Sequence, residues 1–60
     1  FFKSVVAARD LPQGHKLAAE DMALKKPGTG LAAKELPALV GRVLKRSFQK
    51  DEQLAYEDLS

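Results

Sequence analysis

Apolar residues in this chain fall in short clusters separated by turn-forming residues, with no long helical stripe. Lys3-Ser4-Val5-Val6-Ala7-Ala8-Arg9 predicts a first strand over residues 3–9, two β-branched valines in an apolar run bounded by polar residues. Asp10-Leu11-Pro12-Gln13-Gly14 reads as a turn, with Pro12 and Gly14 as its punctuation. His15-Lys16-Leu17 is a short strand, and Ala18-Ala19-Glu20-Asp21-Met22 one helical turn, partly 3₁₀. Ala23-Leu24-Lys25-Lys26 then runs extended into a glycine-rich loop. Residues 33–39 predict a short helix with Pro37 in its first turn. Leu36, Leu39 and Val40 would face the core at i, i+3 and i+4, and Gly41 would end it. Arg42-Val43-Leu44-Lys45-Arg46 is a further strand, Gln49-Lys50-Asp51-Glu52 a polar turn, Gln53-Leu54-Ala55 extended, and Tyr56-Glu57-Asp58-Leu59 a last helical turn.

The two ends of the chain follow one itinerary. Residues 5–22 slide onto 42–59, an offset of 37, with six identities in eighteen positions: Val6/Val43, Arg9/Arg46, Leu17/Leu54, Ala18/Ala55, Glu20/Glu57 and Asp21/Asp58. Unrelated segments would share about one, because each common residue occurs at several per cent. Leu11/Phe48 and Met22/Leu59 stay apolar. This is an internal duplication of strand, turn, short strand and helical turn. It predicts a twisted, mostly β structure with short helical turns and pseudo-two-fold symmetry. Its halves would interlock around Val6, Leu11, Leu17, Leu24, Val43, Leu44 and Leu54. Asp51 stands where the first copy has Gly14, so the second turn is expected to be less constrained.

Between the copies lies Lys25-Lys26-Pro27-Gly28-Thr29-Gly30. Two glycines that tolerate positive φ, a φ-fixing proline and two lysines predict an irregular loop with exposed backbone N–H groups. Such a loop can receive an anionic or hydroxylated group, although by themselves these residues read first as a Gly/Pro-punctuated connection that binds nothing. Elsewhere no catalytic constellation is visible. The single histidine, His15, reads as a solvated surface residue, and Glu20-Asp21 and Glu57-Asp58 as solvated carboxylates ending helical turns. Phe48 reads as core, Tyr56 as a half-buried cap on the second half, and Phe1 and Phe2 as packing on this domain or on a parent protein.

Sixty residues form one small domain, whose core supplies roughly 3–5 kcal/mol of net stability. There is no cysteine, hence no disulfide and no thiolate metal site. A net charge of +2 is too small to argue for nucleic acid, and Arg42, Lys45, Arg46 and Lys50 lack interleaved aromatic platforms. No run approaches the ~20 apolar residues of a membrane span. The opening Phe1-Phe2 in place of methionine suggests a piece of a longer protein.

Val5-Val6-Ala7-Ala8-Arg9-Asp10-Leu11-Pro12-Gln13-Gly14, Leu17, Glu20-Asp21-Met22, the loop from Lys25 to Gly30, Leu39-Val40-Gly41, and Leu54 with Glu57-Asp58-Leu59 together resemble the SAF domain. More narrowly, they resemble the antifreeze-like C-terminal domain of sialic acid synthases and the related spore coat polysaccharide biosynthesis proteins. The resemblance implies a β-clip, pretzel-like fold of the type III antifreeze kind over residues 1–60. It also implies a parent with a TIM barrel ahead of this domain. That barrel would condense phosphoenolpyruvate with an N-acylmannosamine-type sugar, using a divalent metal (Mn or Mg) held by the barrel. The implied arrangement is a cytoplasmic, domain-swapped homodimer, without nucleic acid or membrane partners. Its glycine-rich loop would cover the partner barrel's mouth, with Lys26, Gly28, Thr29 and Gly30 as substrate-binding residues and no catalytic or metal-ligating residue in this chain. The position of Lys26 is usually arginine in the bacterial members, and lysine replaces a planar donor fork with a flexible point charge. Two other readings are a stand-alone SAF-type binding module, as in pilus or flagellar assembly, and an ice-binding protein. The second fits poorly with 30% charged residues and a single threonine.

Overall fold

Val5, Val6 and Ala7 lie at the centre of the molecule because the chain pairs with both edges of them. The computed structural model describes residues 2–60; Phe1, and the packing expected of it, lie outside the described residues. Strand β1 (Ser4–Ala7) runs antiparallel to β2 (Met22–Lys25), with Val6 opposite Ala23. On its other edge Val5 N–H donates to Leu31 O and Ala7 N–H to Glu52 O, both at 2.9 Å, and Val5 O accepts from Leu54 N–H at 3.1 Å. A strand covered this way has no polar side to present, and all four of its residues are buried. It is shorter than the expected 3–9, since the chain bends at Ala8 and Arg9.

The duplication is written in the hydrogen bonds. Leu11 and Phe48, 37 positions apart, bond each other through both main-chain groups at 2.8 Å, so a pseudo-two-fold axis passes between them. Ala8 N–H to Asp21 O (2.8 Å) has its counterpart in Lys45 N–H to Asp58 O (2.7 Å). Gly14 N–H to Leu44 O is matched by Asp51 N–H to Ala7 O, each 2.8 Å. The bridges Val6–Gln53 and Lys16–Val43 are likewise equivalent. Many of these bonds run from one copy to the other, so the halves interlock. The second copy and the expected 15–17 strand appear as isolated bridges rather than continuous strands.

The second turn adopts the same left-handed conformation as the first. Asp51 takes φ of 73°, close to the 86° of Gly14. Aspartate is among the few residues that visit this left-handed region routinely. The helical turns fall at Ala19–Asp21 and Tyr56–Asp58, both 3₁₀. The connection forms a 3₁₀ turn at Ala33–Glu35 that continues into α1 (Leu36–Leu39), with Pro37 in its first turn. Gly41, at φ 92°, turns the chain away and donates to Leu17 O at 2.8 Å.

The core comprises Val5, Val6, Ala7, Leu11, Leu17, Met22, Leu39, Leu44, Phe48, Leu54 and Leu59. Two expected members are corrected. Leu24 is exposed, because β2 is an edge strand and carries the chain from Met22 out towards the loop. Val43 is only half-buried. Its counterpart Val6 lies in a strand flanked by the connection through Leu31 and Ala32, which borders β1 alone. Val40 also leaves the core: at ψ 128° it is already extended, out of register with Leu36 and Leu39. Tyr56 is half-buried as expected, packing on the core and donating its hydroxyl to Glu35 Oε1 at 2.8 Å. Phe2 is exposed.

Candidate functional site

Side chains of both copies' flanks hold the glycine-rich loop from the domain side. The Ser4 hydroxyl, wholly buried at the start of β1, donates to Pro27 O at 2.6 Å and accepts from Gly30 N–H at 2.8 Å. Gln53 reaches the loop from the second copy. Its Nε2 lies 3.1 Å from Thr29 Oγ1 and 3.4 Å from Pro27 O, and its Oε1 lies 3.4 Å from Thr29 Oγ1. One of the expected free N–H groups, that of Gly30, is therefore committed internally.

The glycines are required for a different reason than positive φ. The left-handed glycines are Gly14 and Gly41. A Cβ on Gly28 would lie 2.5 Å from Phe2 Cβ and 2.7 Å from Phe2 O, and one on Gly30 would lie 3.0 Å from Gln53 Oε1. Gly28 needs an absent side chain because the Phe2 backbone runs beneath it, whereas at Gly30 a Cβ would press on the Gln53 side chain that braces the loop.

The two lysines entering the loop differ. Lys25 Nζ pairs with Asp51 Oδ1 at 2.5 Å, tying the loop's entry to the left-handed turn of the second copy. Lys26 is exposed and enters no hydrogen bond or ion pair with the described residues. Lys26, Pro27, Gly28, Thr29 and Gly30 thus form one exposed surface, and Lys26 carries its uncommitted charge. Ser4 and Gln53 were not legible as site residues. A serine opening a strand and a glutamine in a polar stretch carry no motif; only the three-dimensional meeting of residues 4, 27–30 and 53 reveals them.

A second polar cluster corrects two expectations. Asp21 is buried, and its carboxylate accepts from Arg9 at 2.7 Å, from His15 Nε2 at 2.6 Å and from Ala18 N–H at 2.9 Å. His15 is accordingly half-buried and engaged, not solvated. The His15 hydrogen bond is the chief influence holding the Asp21 carboxyl below its usual value, with burial opposing it. The second copy answers with Arg46, which bonds Glu52 at 2.8 Å and Asp58 at 3.4 Å and lies over the Phe48 ring at 3.9 Å. The repeat held the clue: Arg9/Arg46 and Asp21/Asp58 are among its identities. Within each copy these charges are spent on one another. Among the described residues no group of three or more His, Cys, Asp or Glu is arranged to hold a metal ion, and no helix is long and apolar enough to cross a membrane.

The molecule is thus a duplicated, mostly β fold with a Pro-Gly-Thr-Gly loop held between its two copies. The SAF-domain family matches residues 2–60, and the chain belongs to it. It is 33% identical over 57 residues to the N,N'-diacetyllegionaminic acid synthase of Legionella pneumophila, covering 95% of this chain and 16% of that protein. It is 42% identical over 53 residues to the N-acetylneuraminate-9-phosphate synthase of Drosophila melanogaster, covering 87% of this chain and 14% of that one. The chain thus spans about a sixth of the length of these relatives. The antifreeze protein like domain of human N-acetylneuraminic acid phosphate synthase, solved in solution, has the same fold: TM-score 0.89 at 24% identity, over 95% of this chain and 73% of that one.

Proposed function

We propose that this chain is the non-catalytic, C-terminal capping and dimer-assembly domain of a sialic-acid-synthase-like enzyme. The parent would carry a TIM barrel that condenses phosphoenolpyruvate with an N-acylmannosamine-type sugar, for surface or spore-coat polysaccharide, in a cytoplasmic homodimer. The domain would cross to the partner subunit and lay residues 26–30 over its barrel mouth. The observation that carries this reading is Lys26: an exposed ammonium, unpaired among the described residues, at the head of an exposed loop that Ser4 and Gln53 hold from the domain side. The likeness to an N,N'-diacetyllegionaminic acid synthase and an N-acetylneuraminate-9-phosphate synthase supports this reading of the substrate class. The divalent metal would be held by the barrel. This domain's part is positioning and water exclusion, which accelerate a reaction without making a bond.

Lys26→Ala in the parent enzyme tests it. A lost charge-assisted hydrogen bond is worth about 1.5–3 kcal/mol, so kcat/KM for the sugar should fall roughly tenfold or more. The KM for phosphoenolpyruvate should stay within about twofold. An unchanged kcat/KM for the sugar removes the assignment.

A further inference from the structure

We infer that Ser4 and Gln53 are positioning residues: together they preset the shape of the loop from Pro27 to Gly30, and so aim Lys26. The inference rests on the proposed role of that loop. Ser4 makes both of its loop contacts from a site with no solvent exposure, one to the carbonyl of Pro27 and one to the amide of Gly30. It clamps the first and last residues of the turn to a single oxygen. Gln53 adds the middle, through Thr29, and a second donor to Pro27 O.

The duplication supplies an internal control. At the offset of 37, Ser4 corresponds to Gly41 and Gln53 to Lys16. The backbone is equivalent at the second pair, where Val6 bridges Gln53 as Val43 bridges Lys16; at the first pair it is not, since Ser4 lies in β1 and Gly41 is left-handed. The bridge of the repeat therefore forms without the amide that Gln53 carries. Ser4, just ahead of the first copy, and Gln53, in the second, converge on the loop, while their counterparts Gly41 and Lys16 meet no such loop. Gly28 and Gly30 complete the fit. Phe2 occupies the space beneath the first, and Gln53 and Ser4 that beneath the second.

The test uses Ser4→Ala and Gln53→Met, each removing the polar group with little change in volume. In the 60-residue chain, amide exchange at Gly30 should accelerate at least tenfold in Ser4→Ala, while Leu44 and Leu54 exchange as before. In the parent enzyme both variants should raise the sugar KM about threefold to tenfold with kcat nearly kept, and Ser4→Thr, which retains the hydroxyl, should recover most of the loss. Gly30 exchanging at the wild-type rate in Ser4→Ala overturns the inference. So does a normal sugar KM in both variants where Lys26→Ala raises it. If Lys26→Ala itself leaves the sugar kinetics untouched, the capping role falls, and the exchange measurement alone decides whether Ser4 sets the loop.

Discussion

Asp21 is the residue on which the first copy's polar interior turns. Its folded pKa lies below the usual aspartate value of 3.8, chiefly through His15 and with smaller help from Ala18 N–H and Arg9. A carboxyl depressed in the folded state binds fewer protons there than in the unfolded chain at the same pH. Its contribution is therefore fully present above the unfolded value of about 4 and is lost as pH falls through the folded one. Denaturant midpoints measured from pH 7 down to 2 should decline below about pH 4, and Asp21→Asn should flatten part of that decline. At pH 7, Asp21→Ala should cost about 2 kcal/mol, because it strands buried donors. Asp58→Ala should cost less than about 1 kcal/mol, since its carboxyl is 24% exposed and Arg46 keeps Glu52. Equal losses at the two positions would contradict this asymmetry. The sequence showed that Asp21 ends a helical turn. It did not show burial, which depends on Arg9 and His15 arriving from twelve and six positions away.

At the scale of elements, segments governed by local chemistry were legible. Pro37 and Gly41 bracketed the helical segment over 33–39, as the 3₁₀ turn and α1 now show. The two terminal helical turns were also legible. Strand lengths were not, because β1 is defined by partners drawn from β2, the connection and the second copy at once. The side of the helix that meets the core failed by one residue, at Val40. This gives a sharp comparison. Leu39→Ala empties a fully buried site and should cost about 2–5 kcal/mol, enough to unfold much of a domain this small. Val40→Ala, next to it and 46% exposed, should cost less than about 1 kcal/mol. Thermal melts of the two variants separate these outcomes. The loop was legible as a loop, and its lysines as cations. Its support was not, because Ser4 and Gln53 lie 49 positions apart.

For the whole molecule, the offset of 37 carried most of the architecture, since the predicted symmetry reappears bond for bond. Interlocking has an energetic signature. Leu17 N–H bonds Arg42 O, Leu54 N–H bonds Val5 O and Leu44 N–H bonds His15 O, so each copy protects the other's amides. Native-state hydrogen exchange should give these three amides opening free energies within roughly 1 kcal/mol of one another. One copy opening about 2 kcal/mol more easily than the other would show two independent units instead.

The axis between Leu11 and Phe48 also sets a timetable for biosynthesis. Translation delivers the first repeat before the second, and β1 then has one of its two flanks, β2, and nothing on the other. Glu52 and Leu54, which complete that flank, are still to be made. An apolar strand with an open edge invites pairing with foreign chains. Leu31 and Ala32 cover the start of that edge first, and the nascent chain stays vulnerable until the late-made half completes its shelter.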